Sequence, residues 1–517
     1  MAIGDFVTSP NLSLGGWLVL CCSLAIIFSS TWRAVYNVYF HPLASFPGPL
    51  LARASLIWRI YHSVGGHFHF AIEQQHRRYG HVFRVSPNEL SFSSVQSWTD
   101  IYNPPPSRNA TCIKADFYDI YGSGFDVRCI GSERDPARHS DMKKTISPGF
   151  SAKALAQHED IVQACVDKFI EATGRLGSGP KGVNLTDWYE MVAFDILGEM
   201  AFGESFHSIE QGRPHFWSQL VEKHLFYITL LDNLRRYPLV RKVGQFLLPG
   251  LTVGVRNKHV GFSRYQVQRR LEAGGARNDL LTSLINHMEK GELSREQLTA
   301  HASTLVQVCP QCLTKYLLMH TRIAGGETVA TFLSGVTYHL LNNHSSLQKL
   351  TTAIRDEFTT YDSINSRLAQ QIPYLQAVIS EGLRIYPPGS QGFPRVSPGT
   401  SIDGHWVPRG TEIYTSAWTV THDPDNFEDP NTFIPERWLS SETKDNKNAS
   451  QPFSLGPRAC MGRNLAYVEM SVILAKLIWR YDLFLLDEKL DWNRESHMHI
   501  MWSKPDLWVR FGDRGKH

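Results

Sequence analysis

The chain has 517 residues, 42% hydrophobic and 20% charged, with a formal net charge of +3. So small a charge, with no basic tract, excludes nucleic-acid binding through a cationic face, and the composition is that of a globular protein. Eight cysteines in a chain this long make no disulfide framework; they fit a reducing compartment in which one thiol can be special.

From Phe6 to Trp32 there is no charged side chain, and Leu14 to Phe28, "LGGWLVLCCSLAIIF", is almost wholly apolar. Residues 14–32 amount to about one bilayer thickness of helix, so a transmembrane anchor is expected there, with a lumenal tail over 1–13. A cleaved signal peptide is the alternative, but the stretch ahead of the apolar run carries Asp5 and neither Lys nor Arg. Arg33, the first positive side chain, follows the run, which places the rest of the chain on the cytoplasmic side. Residues 33–49 read as a linker ending in a proline hinge, "FPGP" at Phe46 to Pro49, since each proline fixes φ and disfavours helix before it.

No linker-like break follows, and residues 50–517 read as one large domain, mainly α with a minor β part. "HVFRVSPNELSF" (His81 to Phe92) reads as two strands around a Ser-Pro-Asn turn. From Ser151 to about Asn342 apolar residues recur at helical spacing, and from Pro387 to Arg437 short extended pieces and turns take over.

Within the helical part, Ser294 and Gln297 form a capping-box pattern, and Leu298, Ala302 and Leu305 continue the helix face. Pro310 then interrupts it, at a cost of roughly 3 kcal/mol or more in a helix interior. The CxxC pair beside it, Cys309 and Cys312, lacks the second Cys/His pair of a zinc site and the βαβ context of a redox motif. Further on, "AGGETV" (Ala324 to Val329) sets a small-residue run beside an acid and a hydroxyl. Such a run leaves room for a ligand against the backbone, and Glu327 with Thr328 can carry protons. A glycine-softened helix with Thr328 bonded back to its own turn is the other reading.

"EGLR" places Glu381 and Arg384 on one helical face, a spacing that alone is usually a solvated surface pair of small value. "FSLGPRACMG" (Phe453 to Gly462) sets one cysteine ahead of a helix whose Leu465, Val468, Val472 and Ala475 line one face. A helix N-terminus and a nearby arginine stabilise a thiolate, and Gly456 and Gly462 let the backbone approach something flat and bulky. A buried structural cysteine is the alternative.

That stretch matches the FxxGxRxCxG signature at all five specified positions, and by it the chain resembles the cytochrome P450 heme-thiolate monooxygenases. The resemblance implies the cytochrome P450 fold on a single N-terminal transmembrane helix. It implies heme b with Cys460 as axial iron ligand, Arg458 pairing a propionate, Phe453 packing near the ligand loop, and Gly456 and Gly462 shaping it. Glu381 and Arg384, with Arg437 of "FIPERW", resemble the family's structural triad. Glu327 and Thr328 would deliver protons to oxygen, a general-acid role. Two positions depart from or only approximate the pattern. Where the family often has Trp and Arg four apart, this chain has His139 and Lys143, and a lysine meets a propionate as a point charge without arginine's fork. Arg395 in "FPRVSP" stands where another propionate partner is common; an exposed strand-edge arginine is the alternative.

"HPLASFPGPLLAR", "RVSPNELSF" and "IAGGETVATFLSG" look most like fungal microsomal members of the isotrichodermin hydroxylase type. That narrower likeness implies the endoplasmic reticulum membrane, NADPH–cytochrome P450 reductase as electron donor, and hydroxylation or epoxidation of an apolar small molecule such as a terpenoid or polyketide. Contacts to it are expected from Ile113 to Cys129 and around Phe216 to Leu231. In the family the "AGGETV" helix is unbroken, and removing 307–322 restores that spacing here. Residues 307–322 are therefore expected to be an anomalous insertion, either a real loop or a translated retained intron. The alternatives are a heme-thiolate enzyme that is not a monooxygenase, and a heme-binding protein inactivated by the insertion.

Overall fold

The computed structural model describes residues 14–104, 111–120, 125–214, 226, 229–237, 249–274, 279–305, 312–313, 317–318 and 326–514. Helix α1, Leu14–Tyr39, is long and apolar enough to cross a membrane, and none of its apolar stretch is buried against the protein. The helix itself runs past Trp32 to Tyr39, because nothing before Pro42 removes a helical hydrogen bond. Two strands follow, β1 (Val82–Ser86) and β2 (Glu89–Phe92), antiparallel as the sequence pattern expected. Together with β3 (Ile113–Lys114), β4 (Arg395–Val396) and β5 (Glu412–Thr415) they make a five-stranded sheet in the order β1-β2-β5-β4-β3.

The core lies among the helices. Helix α2 (Val95–Tyr102) and helix α3 (Pro136–Ile146) flank it, while α4 (Glu159–Gly177) and α5 (Leu185–Phe202) enter it. Nearly every side chain of α5 is buried, including Leu185, Val192, Ile196 and Met200. A helix apolar all round must be covered on all sides. Its main partner is α7 (Gly326–Leu341), to which Tyr189 Oη and Thr337 Oγ1 tie it at 2.8 Å. Helix α8 (Pro373–Ile385) and helix α9 (Arg463–Arg480) close the core. Leu465, Val468, Val472 and Ala475 of α9 are all buried, the leucine and the two valines each contributing roughly 1.5–3 kcal/mol.

Ahead of α7 stands α6 (Arg295–Leu305). Its N-terminus carries the reciprocal cap read from the sequence: Gln297 N–H donates to Ser294 Oγ (3.1 Å) and Ser294 N–H to Gln297 Oε1 (2.8 Å). Between α6 and α7 the structure describes only a short antiparallel pair, Cys312–Leu313 against Leu317–Leu318. Cys309 and Pro310 lie outside the described residues, as do Gly325, most of 307–322, and 216–225 of the second expected substrate segment.

Candidate active site

The site is built first by the turn from Phe453 to Gly462. Cys460 N–H donates to the Phe453 carbonyl at 2.9 Å, closing the loop on itself. Gly456 has φ +70°, and a Cβ there would overlap the Tyr102 carbonyl oxygen at the end of α2, so glycine is required on two counts. Gly462 is the N-cap of α9; a Cβ on it would stand 3.9 Å from Cys460 Sγ. Phe453 and Tyr467 pack at 5.5 Å between ring centroids, with Arg463 over both. Cys460 is exposed, although much of the protein packs around it. Burial raises its thiol pKa, while the Gly462 and Arg463 N–H groups and the charges of Lys143 and Arg463 oppose that shift. Lys143 on α3 donates to the Pro457 carbonyl at 2.8 Å, so it stands at this loop without reaching the sulfur.

Beside the loop is a cluster of cations. Strands β3 and β4 pair so that Lys114 lies opposite Arg395, both buried. Arg395 is thus an interior strand residue, not the exposed edge residue that was its alternative. Like charges directly opposite on a sheet repel. Arg395 donates to Tyr118 Oη (3.0 Å), and Lys114 to the Ile130 (2.9 Å) and Gly131 (2.7 Å) carbonyls. Arg458 donates to the carbonyls of Glu133 (2.7 Å) and Arg134 (2.8 Å). Among the described residues none of these three cations forms a side-chain ion pair. Burial, and then Arg458 and Arg395, push the Lys114 ammonium down to about 7. Burial and then Arg395 push Arg458 down to about 10, and His139 falls to about 3 through burial and then Arg458. A cation set, Lys114 and Arg395 buried and Arg458 half-buried, resting on neutral oxygens beside an accessible cysteine, fits a flat group carrying two carboxylates and a thiolate-seeking metal.

The triad residues come together away from solvent. Glu381 and Arg384 have fully buried side chains and share two bonds of 2.8 Å; Arg437 Nε reaches Glu381 Oε1 at 3.2 Å and pairs with Asp445 at 2.8 Å. The surface-pair alternative is therefore excluded by burial.

Glu327 and Thr328 sit in the first turn of α7. Glu327 is buried and accepts from Thr331 Oγ1 (3.1 Å) and from Lys504 Nζ (2.5 Å). Lys504 and Lys114 escaped sequence reasoning: neither lies in a motif, and only strand register and chain return bring them to the site.

Comparison with known proteins agrees with this geometry. Residues 45–510 match the family model described as Cytochrome P450. A cytochrome P450 monooxygenase of Penicillium roqueforti, ORF9, is 54% identical over 92% of this chain and 90% of its own length. Another from Botryotinia fuckeliana, BOT4, is 47% identical over 96% of this chain and 92% of its own. In fold, the crystal structure of the cytochrome P450DA heme domain matches with a TM-score of 0.72 at 16% identity, over 91% of this chain and 97% of that one. Fold and cysteine loop define a heme-thiolate oxygenase. The chain belongs to the cytochrome P450 family and is a monooxygenase, using thiolate-ligated heme and electrons drawn from NAD(P)H through a reductase.

Proposed function

We propose that this protein hydroxylates or epoxidises an apolar small molecule of fungal secondary metabolism, a terpenoid or polyketide. It would be held in the endoplasmic reticulum membrane by α1, with residues 1–13 lumenal and the domain from residue 50 onward cytoplasmic. Its electron donor would be NADPH–cytochrome P450 reductase. The observation that carries the reading is the conjunction of the Cys460 loop with the buried cations Lys114 and Arg395 and the half-buried Arg458. When bound, heme supplies oxygen activation and the oxidation itself. Cys460 would supply its thiolate ligand, and Gly456 and Gly462 would give the loop room to approach it. Arg458, Arg395 and Lys114 would neutralise its two carboxylates, with Lys143 beside the loop. Burial of those cations strengthens each charge-assisted contact and makes the arrangement costly without an anion. Phe453 keeps the loop packed against Tyr467, and Glu381, Arg384 and Arg437 hold the backbone around it. Glu327, buried and tied to Lys504, and the neighbouring Thr328 hold and move protons toward the oxygen that leaves as water. Support for an apolar substrate comes from Phe117 and Tyr118, in the segment that follows Lys114, with Ile500 of the C-terminal region packed against them.

Expression with a reductase and profiling of oxidised metabolites tests the reading. A thiolate-type band of the reduced CO complex and incorporation of labelled oxygen into product are expected. Loss of both in Cys460→Ser supports the assignment; labelled product from that variant would overturn it.

A second reading, inactivation by residues 307–322, is favoured by one observation: between α6 and α7 the described residues include an antiparallel pair, Cys312–Leu313 against Leu317–Leu318, where the family resemblance implies one unbroken helix. Transcript sequencing and a chain lacking 307–322 separate the two. Codons for 307–322 in the dominant message refute the retained-intron origin, and equal turnover with and without the segment refutes inactivation.

A further inference from the structure

Lys504 has no part in the motifs above, yet it is among the most enclosed cations of the molecule. Its Nζ lies 2.5 Å from Glu327 Oε1 on α7, 3.0 Å from Glu190 Oε1 on α5, and 3.5 Å from Thr331 Oγ1. The exposures of the Lys504, Glu327 and Glu190 side chains are 3%, 4% and 11%. Two carboxylates share one ammonium, so the group carries a net charge of −1 when all three are ionised. Lone buried charges are costly, and each carboxylate depends on the shared cation. The other titratable groups facing Lys504 are Tyr386 from the end of α8 and Asp187 from α5.

The lysine is placed by backbone, not by chance packing. Strand Trp508–Asp513 pairs with Val183–Asn184, just ahead of α5. Leu507 N–H donates to Asn184 Oδ1 (2.9 Å), and Thr186 Oγ1 donates to the Pro505 carbonyl (2.8 Å). These bonds pin the residues just after Lys504 to the N-terminus of α5, and its ammonium reaches between α5 and α7. Opposite, Thr331 holds the same Glu327 oxygen from within α7.

We infer that Lys504, anchored from behind by Glu190, is the positioning residue that holds the Glu327 carboxyl group in place, and so sets how efficiently protons reach oxygen. This rests on the reading of Glu327 as the proton-delivering acid. The balance makes it measurable. Dioxygen taking up two electrons and two protons leaves as hydrogen peroxide; taking up four of each, it leaves as two waters. All electrons come from NADPH through the reductase, so poor proton delivery shifts consumed oxygen from water toward peroxide.

The test uses the heme-loaded full chain with reductase and NADPH, without organic substrate, and reads the water-to-peroxide ratio at matched heme content. Lys504→Met is expected to lower that ratio by about tenfold, as Glu327→Gln does, with the double variant no worse than either single one within about twofold. Lys504→Arg is expected to restore most of the ratio. A second readout needs no heme: Lys504→Met should lower the unfolding temperature of the heme-free protein more than Lys504→Gln combined with Glu190→Gln, which leaves no facing pair of carboxylates. If Lys504→Met does not fold, that charge-conserving double variant replaces it in the ratio assay. A normal ratio in the lysine variant beside a lowered ratio in Glu327→Gln overturns the inference and leaves the reading of Glu327 standing. Normal ratios in both overturn the two together.

Discussion

Replacing Glu381 by Gln removes one charge and almost no volume from the most enclosed ionic group near the cysteine loop. The Glu381 carboxylate accepts five bonds. Oε2 takes Arg384 Nε (2.8 Å) and Trp438 Nε1 (2.9 Å); Oε1 takes Arg384 Nη2 (2.8 Å), Ile434 N–H (2.9 Å) and Arg437 Nε (3.2 Å). With Asp445 the group holds two positive and two negative charges, at side-chain exposures of 0% for Glu381 and Arg384, 3% for Arg437 and 5% for Asp445. A glutamine can keep its oxygen on the Oε1 side, but its NH₂ then faces the Arg384 and Trp438 donors. Each donor left unmet costs ~1–3 kcal/mol, and removing one partner of a buried pair costs ~3–5 kcal/mol in all. Against a total stability of ~5–15 kcal/mol, that is about a fifth or more. Urea unfolding followed by tryptophan fluorescence and by circular dichroism, on wild type and Glu381→Gln, measures it. A loss below about 1 kcal/mol would put the triad on the scale of an exposed surface pair and refute the reasoning from burial.

Three further outcomes are expected. Gly456→Ala should abolish heme retention, since the new Cβ must displace the Tyr102 carbonyl from a left-handed turn; heme content per protein after purification reads this, and wild-type content would contradict it. Removing a cation from the rim should relieve repulsion in the heme-free protein but weaken heme binding. Lys114→Met should therefore leave or raise heme-free stability while speeding heme transfer to an acceptor globin; unchanged transfer would remove Lys114 from the propionate set. Glu469 of α9 is fully enclosed, and burial pushes its carboxyl up to about 8, against ~4.3 in the unfolded chain. The folded state thus binds more protons between those values, so stability falls as pH rises through that window, by up to ~1.4 kcal/mol per pH unit. Glu469→Gln should flatten that slope and stabilise the protein at pH 8 but not at pH 4; parallel slopes in the two proteins would count against it.

What the sequence by itself determined is whatever depends on residues close together in the chain. The anchor is legible because a bilayer imposes a length and an apolar composition on consecutive residues. The cysteine loop is legible because a tight turn, a helix start and a ligand must occupy fixed neighbouring positions; the Ser294–Gln297 cap and the one-sided face of α9 follow from helical geometry in the same way. The helix boundary at Tyr39 was not, since apolarity ends before the hydrogen-bond ladder does.

Only the tertiary structure decided the charges. Whether Glu381 and Arg384 form a weak surface pair or a buried lock turns on what covers them, and Arg437 and Asp445 arrive from a distant segment. Lys114 becomes a partner of Arg395 through strand register, and Lys504 meets Glu327 because the C-terminal strand returns to the start of α5. The worth of a charge is set by the solvent excluded from it and by the partner brought to it, and both are properties of chain segments far apart in sequence.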